Sequence, residues 1–143
     1  MVLLIVAGGV ALWFLSTATY AYWKYARAGK KTQAHIENWG VEKIGSSKFA
    51  IAASYVFEVQ GEKFEGKTVF KEPYYLNHLS AEDDLKKWAS QHWEVWYDPS
   101  SPAFSTLQKL FPYKYIWHAL LTLGVFVYFL GMRPYLLRLS NNE

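Results

Sequence analysis

The chain has 143 residues, 52% hydrophobic and 19% aromatic, with a formal charge of +3 and no cysteine. That length suits one small domain, and the density of large apolar residues excludes intrinsic disorder. The missing cysteines exclude disulfide staples, thiol catalysis, iron–sulfur clusters and zinc ribbons, while the basic balance leaves nucleic acid or anionic lipid as partners.

Residues 1–23 are the first predicted element. Val2 to Trp23 carries no charge, and as a helix it extends about 33 Å, enough to cross a bilayer's hydrocarbon core. A signal peptide, the rival reading, requires a basic start, a shorter apolar stretch and a small-residue cleavage site. Here Met1 runs directly into Val2-Leu3-Leu4-Ile5, and the far end is Tyr20-Ala21-Tyr22-Trp23, so the segment reads as an uncleaved anchor. Ala7, Gly8 and Ala11 recur at helical spacing, which suits close helix packing in lipid. Residues 24–31 follow as a basic juxtamembrane collar of Lys24, Arg27, Lys30 and Lys31, each worth about 1 kcal/mol near anionic headgroups.

Residues 32–108 predict a small, mainly antiparallel β domain of about four strands. Thr32 to Ile44 is the first strand, with Gly40 marking a bulge or bend. Lys48 to Gln60 alternates with period two, setting Phe49, Ile51, Ala53, Tyr55, Phe57 and Val59 on one face. Gly61-Glu62 permits a tight hairpin, and Lys63 to Lys71 returns, with Phe64, Thr68 and Phe70 inward. A helix over about 80–90 opens on the capping-box pattern Ser80-Ala81-Glu82-Asp83. Glu82, Asp83 and Asp84 complement the dipole in its first turn, so the acidic triplet is helix chemistry rather than a metal site. His92 to Asp98 is the last strand, with Trp93, Val95 and Tyr97 inward. Trp39 and Trp96 then fall on the polar face of the sheet, where they either dock a partner or cover headgroups or the helix. Asp98-Pro99-Ser100-Ser101-Pro102 reads as a rigid exit turn, with Asp98 accepting from backbone amides.

Residues 109–114 form a second basic and aromatic collar, with Lys109 and Lys114. Residues 115–132 are a second uncharged run, about 27 Å long as a helix, closed by Arg133 and Pro134, and 133–143 is a short tail. Gly124 and Gly131 lie one heptad apart, suited to packing on the first helix or on another subunit. His118 sits a turn from the aromatic belt, which favours an interfacial position over a proton relay. The fold class is therefore membrane α+β: two transmembrane helices flanking a small β domain with one short helix. More cations flank the middle segment than the termini, which predicts a cytoplasmic β domain with both ends outside a bacterial inner membrane. Within 32–108 the lysines (43, 48, 63, 67, 71, 86, 87) are outnumbered by acids (37, 42, 58, 62, 65, 72, 82, 83, 84, 94, 98). The positive balance belongs to the collars, and nucleic-acid binding loses its main warrant.

Two segments carry a family resemblance: Tyr55-x-Phe57-x-Val59-x-Gly61-x-x-Phe64-x-Gly66, and Val95-x-Tyr97-Asp98-Pro99-x-x-Pro102-x-x-Ser105-x-Leu107. With an apolar helix before and after, the chain resembles the bacterial two-helix membrane proteins grouped as domain of unknown function 3592. One departure is visible: members tend to carry a glycine-containing turn before the last strand, where this chain has Ala89-Ser90-Gln91. The resemblance implies a small β domain between two anchors and carries no reaction with it.

Catalytic signatures are missing: there is no G-x-S-x-G, no phosphate-binding glycine loop and no H-E-x-x-H. His35, His78, His92 and His118 are far apart without ligand spacing, although His35 and His92 meet if the first and last strands pair. No catalytic residue, cofactor or metal is expected. The leading functional expectation is a non-catalytic accessory or scaffold subunit of an inner-membrane complex. Its expected partners are other membrane subunits or copies of itself, and anionic lipid headgroups. The alternative is a membrane-held binding module, such as a toxin-immunity protein or a ligand sensor; an enzyme acting at the membrane surface is the third.

Overall fold

A computed structural model describes residues 2–140; Met1 and the last three residues of the expected tail lie outside the described residues. The chain divides into two compact units: residues up to Tyr25 with those from Phe111 onward, and Ala26–Leu110. The elements in order are α1 (Val2–Arg27), β1 (Lys30–Gly45), β2 (Lys48–Val59), β3 (Glu62–Val69), α2 (His78–Ala89), β4 (Trp93–Asp98), β5 (Ser101–Thr106) and α3 (Tyr113–Ser140).

In the helical unit, α1 and α3 are each long and apolar enough to cross a membrane. They pair antiparallel in a steady register. Phe111 lies edge-on to Tyr22 and Tyr25 at 6.3 and 5.2 Å, His118 meets Phe14 at 5.7 Å, and Phe126 covers Gly8. The shielded positions recur every three or four residues, through Ala7, Ala11, Phe14 and Ala18 on α1 and Ile116, Ala119, Thr122 and Phe126 on α3. That spacing is the contact stripe of a helix pair, and here the helices meet through long side chains such as Phe14, Phe111, His118 and Phe126. α3 continues past the expected stop at Met132, with Pro134 inside it.

The β unit is one antiparallel sheet in the order β3-β2-β1-β4-β5. It has five strands rather than the expected four. Ser101–Thr106, read from sequence as part of an exit turn, pairs with β4 through Trp96↔Thr106 and Tyr97↔Ser105. A proline near the start of a strand is tolerated at a sheet edge, where its missing N–H is not needed. The β2–β3 turn is centred on Gln60 and Gly61, both with positive φ (53° and 83°), the two-residue turn that matches strand twist.

A bulge sits at Glu37, between the pairs Ile36↔Tyr55 and Asn38↔Ser54. The extra residue switches the side-chain parity. Ala34 and Ile36 face the core before it, and Trp39 and Val41 face the core after it.

Outer strands β3 and β5 meet, so the sheet curls almost into a barrel. Tyr55 Oη lies 3.0 Å from Ser105 Oγ, and Leu107 N donates to Thr68 Oγ1 at 3.0 Å. Inside lie Ile51, Tyr55, Phe57, Val95 and Tyr97. α2 covers one part of this core with Ala81, Leu85 and Trp88. It begins at His78, two residues earlier than expected, because Asn77 caps it by accepting from Ser80 N at 2.8 Å. The acidic triplet therefore lies beyond the first turn, where Asp83 and Asp84 pair with Lys86 and Lys87.

Candidate functional site

The two tryptophans singled out for docking separate. Trp39 is not on the polar face. It stacks on Phe70 at 6.3 Å and meets Trp88 and Trp93 edge-on at 6.5 and 5.4 Å. The Glu37 bulge put it there, so it covers α2 from the core side. Trp93 reinforces this cluster by donating from Nε1 to Trp88 O at 2.9 Å. Trp96 stays on the outer face of β4 and is half-buried, with Lys109 Nζ 4.6 Å and Lys31 Nζ 5.9 Å from its ring centre. Such cations attract the ring face electrostatically. Lys31 also donates to Glu94 at 2.8 Å, and Lys109 to Ala28 O at 2.8 Å.

Four of the six collar cations, Lys24, Arg27, Lys31 and Lys109, thus have side-chain partners as well as charge. Lys24 Nζ lies 5.7 Å over the Tyr20 ring, Lys30 pairs with Tyr97 in the β1–β4 ladder, and Lys114 is exposed in the first turn of α3. Arg27 donates from Nε to the buried Asp98 Oδ2, with its guanidinium 4.7 Å from the Phe104 ring centre. Asp98 also accepts from Ser100 N at 2.8 Å, as the exit-turn reading expects. The Arg27 hydrogen bond, and then the Ser100 amide, hold the Asp98 carboxyl below the usual carboxylate range. Pro99 sits exposed in the β4–β5 turn, and Pro102 is half-buried near the start of β5.

A second polar pair supports α2. Tyr75 Oη donates to Asp84 Oδ2 at 2.9 Å, and Lys87 Nζ donates to Asp84 Oδ1 at 2.9 Å. Burial, and then the Asp84 carboxylate, push the Tyr75 phenol up to about 12. The Lys87 and Tyr75 hydrogen bonds lower Asp84.

The small residues of the apolar helices also divide. Gly8 and Ala11 belong to the α1–α3 contact: Ala11 is buried, and a Cβ on Gly8 would come 3.1 Å from Phe126. Ala7 lines a shallow apolar groove with Val10, Leu121, Thr122 and Val125. Gly124 and Gly131 lie off the stripe, with open space where a Cβ would stand, so packing on the first helix is not their role. The hydroxyls of α1 and α3 bond to their own helices: Ser16 to Leu12 O, Thr17 to Phe14 O, Thr19 to Leu15 O, and Thr122 to His118 O.

The histidines do not converge. The β1–β4 ladder ends at Ala34↔Trp93, one residue short of setting His35 opposite His92. His78 contacts Glu82 and the Phe49 ring, and His118 contacts Phe14. Among the described residues no group of three or more His, Asp or Glu side chains is arranged to hold a metal ion.

An exposed apolar patch had no signal in the periodicity. Tyr74, Leu76 and Leu79 are half or more exposed around the start of α2, with Lys48 Nζ 4.6 Å from the Tyr74 ring centre. The segment between β3 and α2 follows neither a strand nor a helix period, so its apolar residues had no assigned face. Comparison with family models, curated proteins and solved structures finds no match for this chain.

Proposed function

We propose that the chain is a non-catalytic accessory or scaffold subunit of a bacterial inner-membrane complex, holding a small β interaction module at the membrane surface. One observation carries the membrane part. The large apolar side chains of α1 and α3 point outward from the helix pair, with Val2, Ile5 and Trp13 at least 70% exposed. Water would oppose such a surface on a soluble protein, where large apolar patches are rare. Hydrocarbon accepts it, provided that every polar group is satisfied internally. The hydroxyls that bond back to their own helices meet that requirement.

Further support comes from the aromatic residues, which cluster at one end of the helix pair around Phe111, Tyr22 and Tyr25. Tyr and Trp favour the headgroup level. The cations at 24–31 and 109–114 suit anionic headgroups beside it. The resemblance to the two-helix membrane proteins of domain of unknown function 3592 supports the same reading.

Gentle-detergent purification of the full chain is expected to bring down stoichiometric membrane subunits; a protein recovered with none overturns the subunit reading. Orientation has its own measurement, since the chain lacks cysteine. Glu62→Cys, at the exposed start of β3, is expected to resist impermeant thiol reagents in intact cells, and ready labelling there reverses the topology. The alternative, a membrane-held binding module, is favoured by the exposed Tyr74, Leu76 and Leu79. Loss of a single captured ligand or effector on replacing Leu76 and Leu79 would select it.

A further inference from the structure

The two tryptophans of β4 meet different fates. Trp93 packs against the core and donates its Nε1–H to Trp88 O. Trp96 lies half-buried on the outer face, and its Nε1–H has no acceptor among the described residues. Lys31 is its direct neighbour across the β1–β4 ladder, and residues opposed in this way set their side chains on one face. Lys109 comes from the segment that follows β5. Two ammonium groups therefore converge on one indole, Lys109 Nζ 4.6 Å and Lys31 Nζ 5.9 Å from its ring centre.

The protein acceptors of these two cations do not close the site. Lys31 donates to Glu94, but that pair is about half exposed on both sides, at 52% and 55%. Exposed pairs of this kind are weak, so the ammonium turns to a better-placed anion at little cost. Lys109 donates to Ala28 O, a neutral carbonyl, and that bond leaves its charge in place. Like charges drawn to one ring repel each other, and an anion set between them converts the repulsion into attraction. The indole adds one hydrogen-bond donor and an apolar body. A phosphate ester supplies the oxyanion, and a phospholipid also supplies apolar matter for the ring.

Chain connectivity favours the lipid. Lys31 follows the last residue of α1 by four positions, and Lys109 precedes the first residue of α3 by four. Four residues of extended chain span at most about 14 Å, so both lysines stay near the ends of the apolar helices. Tryptophan favours the headgroup level. We propose that Lys31, Trp96 and Lys109 form a binding site for the phosphate of one anionic phospholipid, bridged by the two ammonium groups and accepting from the indole N–H. The site rests on the reading of α1 and α3 as spanning helices. It differs from the general attraction of the collars in requiring Trp96 and just two of the six cations.

The test uses the full chain in neutral detergent doped with phosphatidylglycerol or phosphatidylcholine, with retained lipid counted by native mass spectrometry. The wild type is expected to retain one phosphatidylglycerol in preference to phosphatidylcholine. Each cation beside anionic lipid is worth about fivefold in affinity, so Lys31→Gln/Lys109→Gln is expected to lower retention by roughly 25-fold. Trp96→Phe keeps a ring and removes the N–H, and is expected to lower retention about fivefold. Lys24→Gln/Lys114→Gln removes the same charge from the rest of the collars and is expected to leave retention unchanged. Because Lys109 also holds Ala28 O, Lys31→Gln alone serves where the double variant fails to fold. Its Tm is expected to match the wild type while its retention falls about fivefold. Equal retention of phosphatidylcholine, equal loss in Lys24→Gln/Lys114→Gln, or unchanged retention in Trp96→Phe overturns the site. Displacement of phosphatidylglycerol by millimolar inorganic phosphate assigns the site to a soluble phosphate and overturns the lipid. Loss of lipid selectivity in a chain that still fractionates with membranes and brings down its subunits overturns this site alone.

Discussion

Tyr55 is the largest side chain sealed in the β core, 1% exposed. Its ring occupies the space over position 66, where a Cβ would stand 2.6 Å from Tyr55 Cζ. The ring cannot swing aside, because its hydroxyl is held between Ser105 Oγ and Thr68 Oγ1 at the seam of β3 and β5. Gly66→Ala is expected to cost about 1–3 kcal/mol, the usual penalty for overpacking a filled core. Unfolding of the β unit followed by tryptophan fluorescence measures it, and a Tm unchanged within error would contradict the close packing. Tyr75 gives a pH signature at the same scale. Its phenol is raised to about 12 in the fold, against about 10 in an unfolded chain. The folded state therefore keeps this proton longer than the unfolded one, and the stability it contributes is present below pH 10 and lost between about 10 and 12. Tyr75→Phe is expected to flatten that part of the stability–pH curve relative to wild type.

At the scale of elements, Glu37 decides what β1 buries. The alternation of β2 is legible in its large side chains, Phe49, Ile51, Tyr55, Phe57 and Val59, although Ala50 and Ala52 of the opposite parity are buried as well. β1 is harder to read: Ala34 and Ile36 share one parity, Trp39 and Val41 the other, and only pairing with β2 reconciles them. Deleting Glu37 restores plain alternation and turns either Trp39 and Val41 or Ala34 and Ile36 outward. The expected outcome is a loss of roughly 3–5 kcal/mol, the scale of removing a tryptophan from a core, with red-shifted tryptophan emission. Retention of wild-type emission and stability would refute the parity argument. β5 was hidden for a related reason. Asp98-Pro99-Ser100-Ser101-Pro102 carries turn residues throughout, and Ser101–Thr106 becomes a strand because the outer edge of β4 offers it a ladder. The start of α2 depended on whether Asn77 or Ser80 caps it. Both are suitable cap residues, and the return of Tyr75 to pair with Phe49 places the helix start beside Asn77.

At the scale of the whole molecule, the mean hydropathy of −0.06 averages two unlike populations. Apolar helices at the ends offset an acidic β unit between them. Within that unit the points where the chain enters and leaves are tied together, through Arg27 to Asp98 and Lys109 to Ala28 O. Asp98→Asn is expected to lower the Tm of the full chain at neutral pH. The sign of its pH dependence follows from the lowered carboxyl. The stabilisation is present above the unfolded pKa near 3.9 and fades as pH falls below it, so the gap between wild type and variant should close in acid. A gap that persists undiminished at the acid end would show that Asp98 acts through packing rather than charge.

The sequence by itself determined what depends on composition over a window or on strict local period. The two apolar helices, the collars, the β2–β3 hairpin and the hydrogen-bonding role of Asp98 are of that kind, because a run of uncharged residues or an Asp-Pro turn has the same chemistry in any surroundings. Tertiary structure alone decided where parity and edges matter. It moved Trp39 into the core and left Trp96 outside, turned an exit loop into β5, and put Gly8 but not Gly124 against the neighbouring helix. Each of these turns on which strand or helix lies alongside, and a single inserted residue or a rotation about a helix axis exchanges one face for the other.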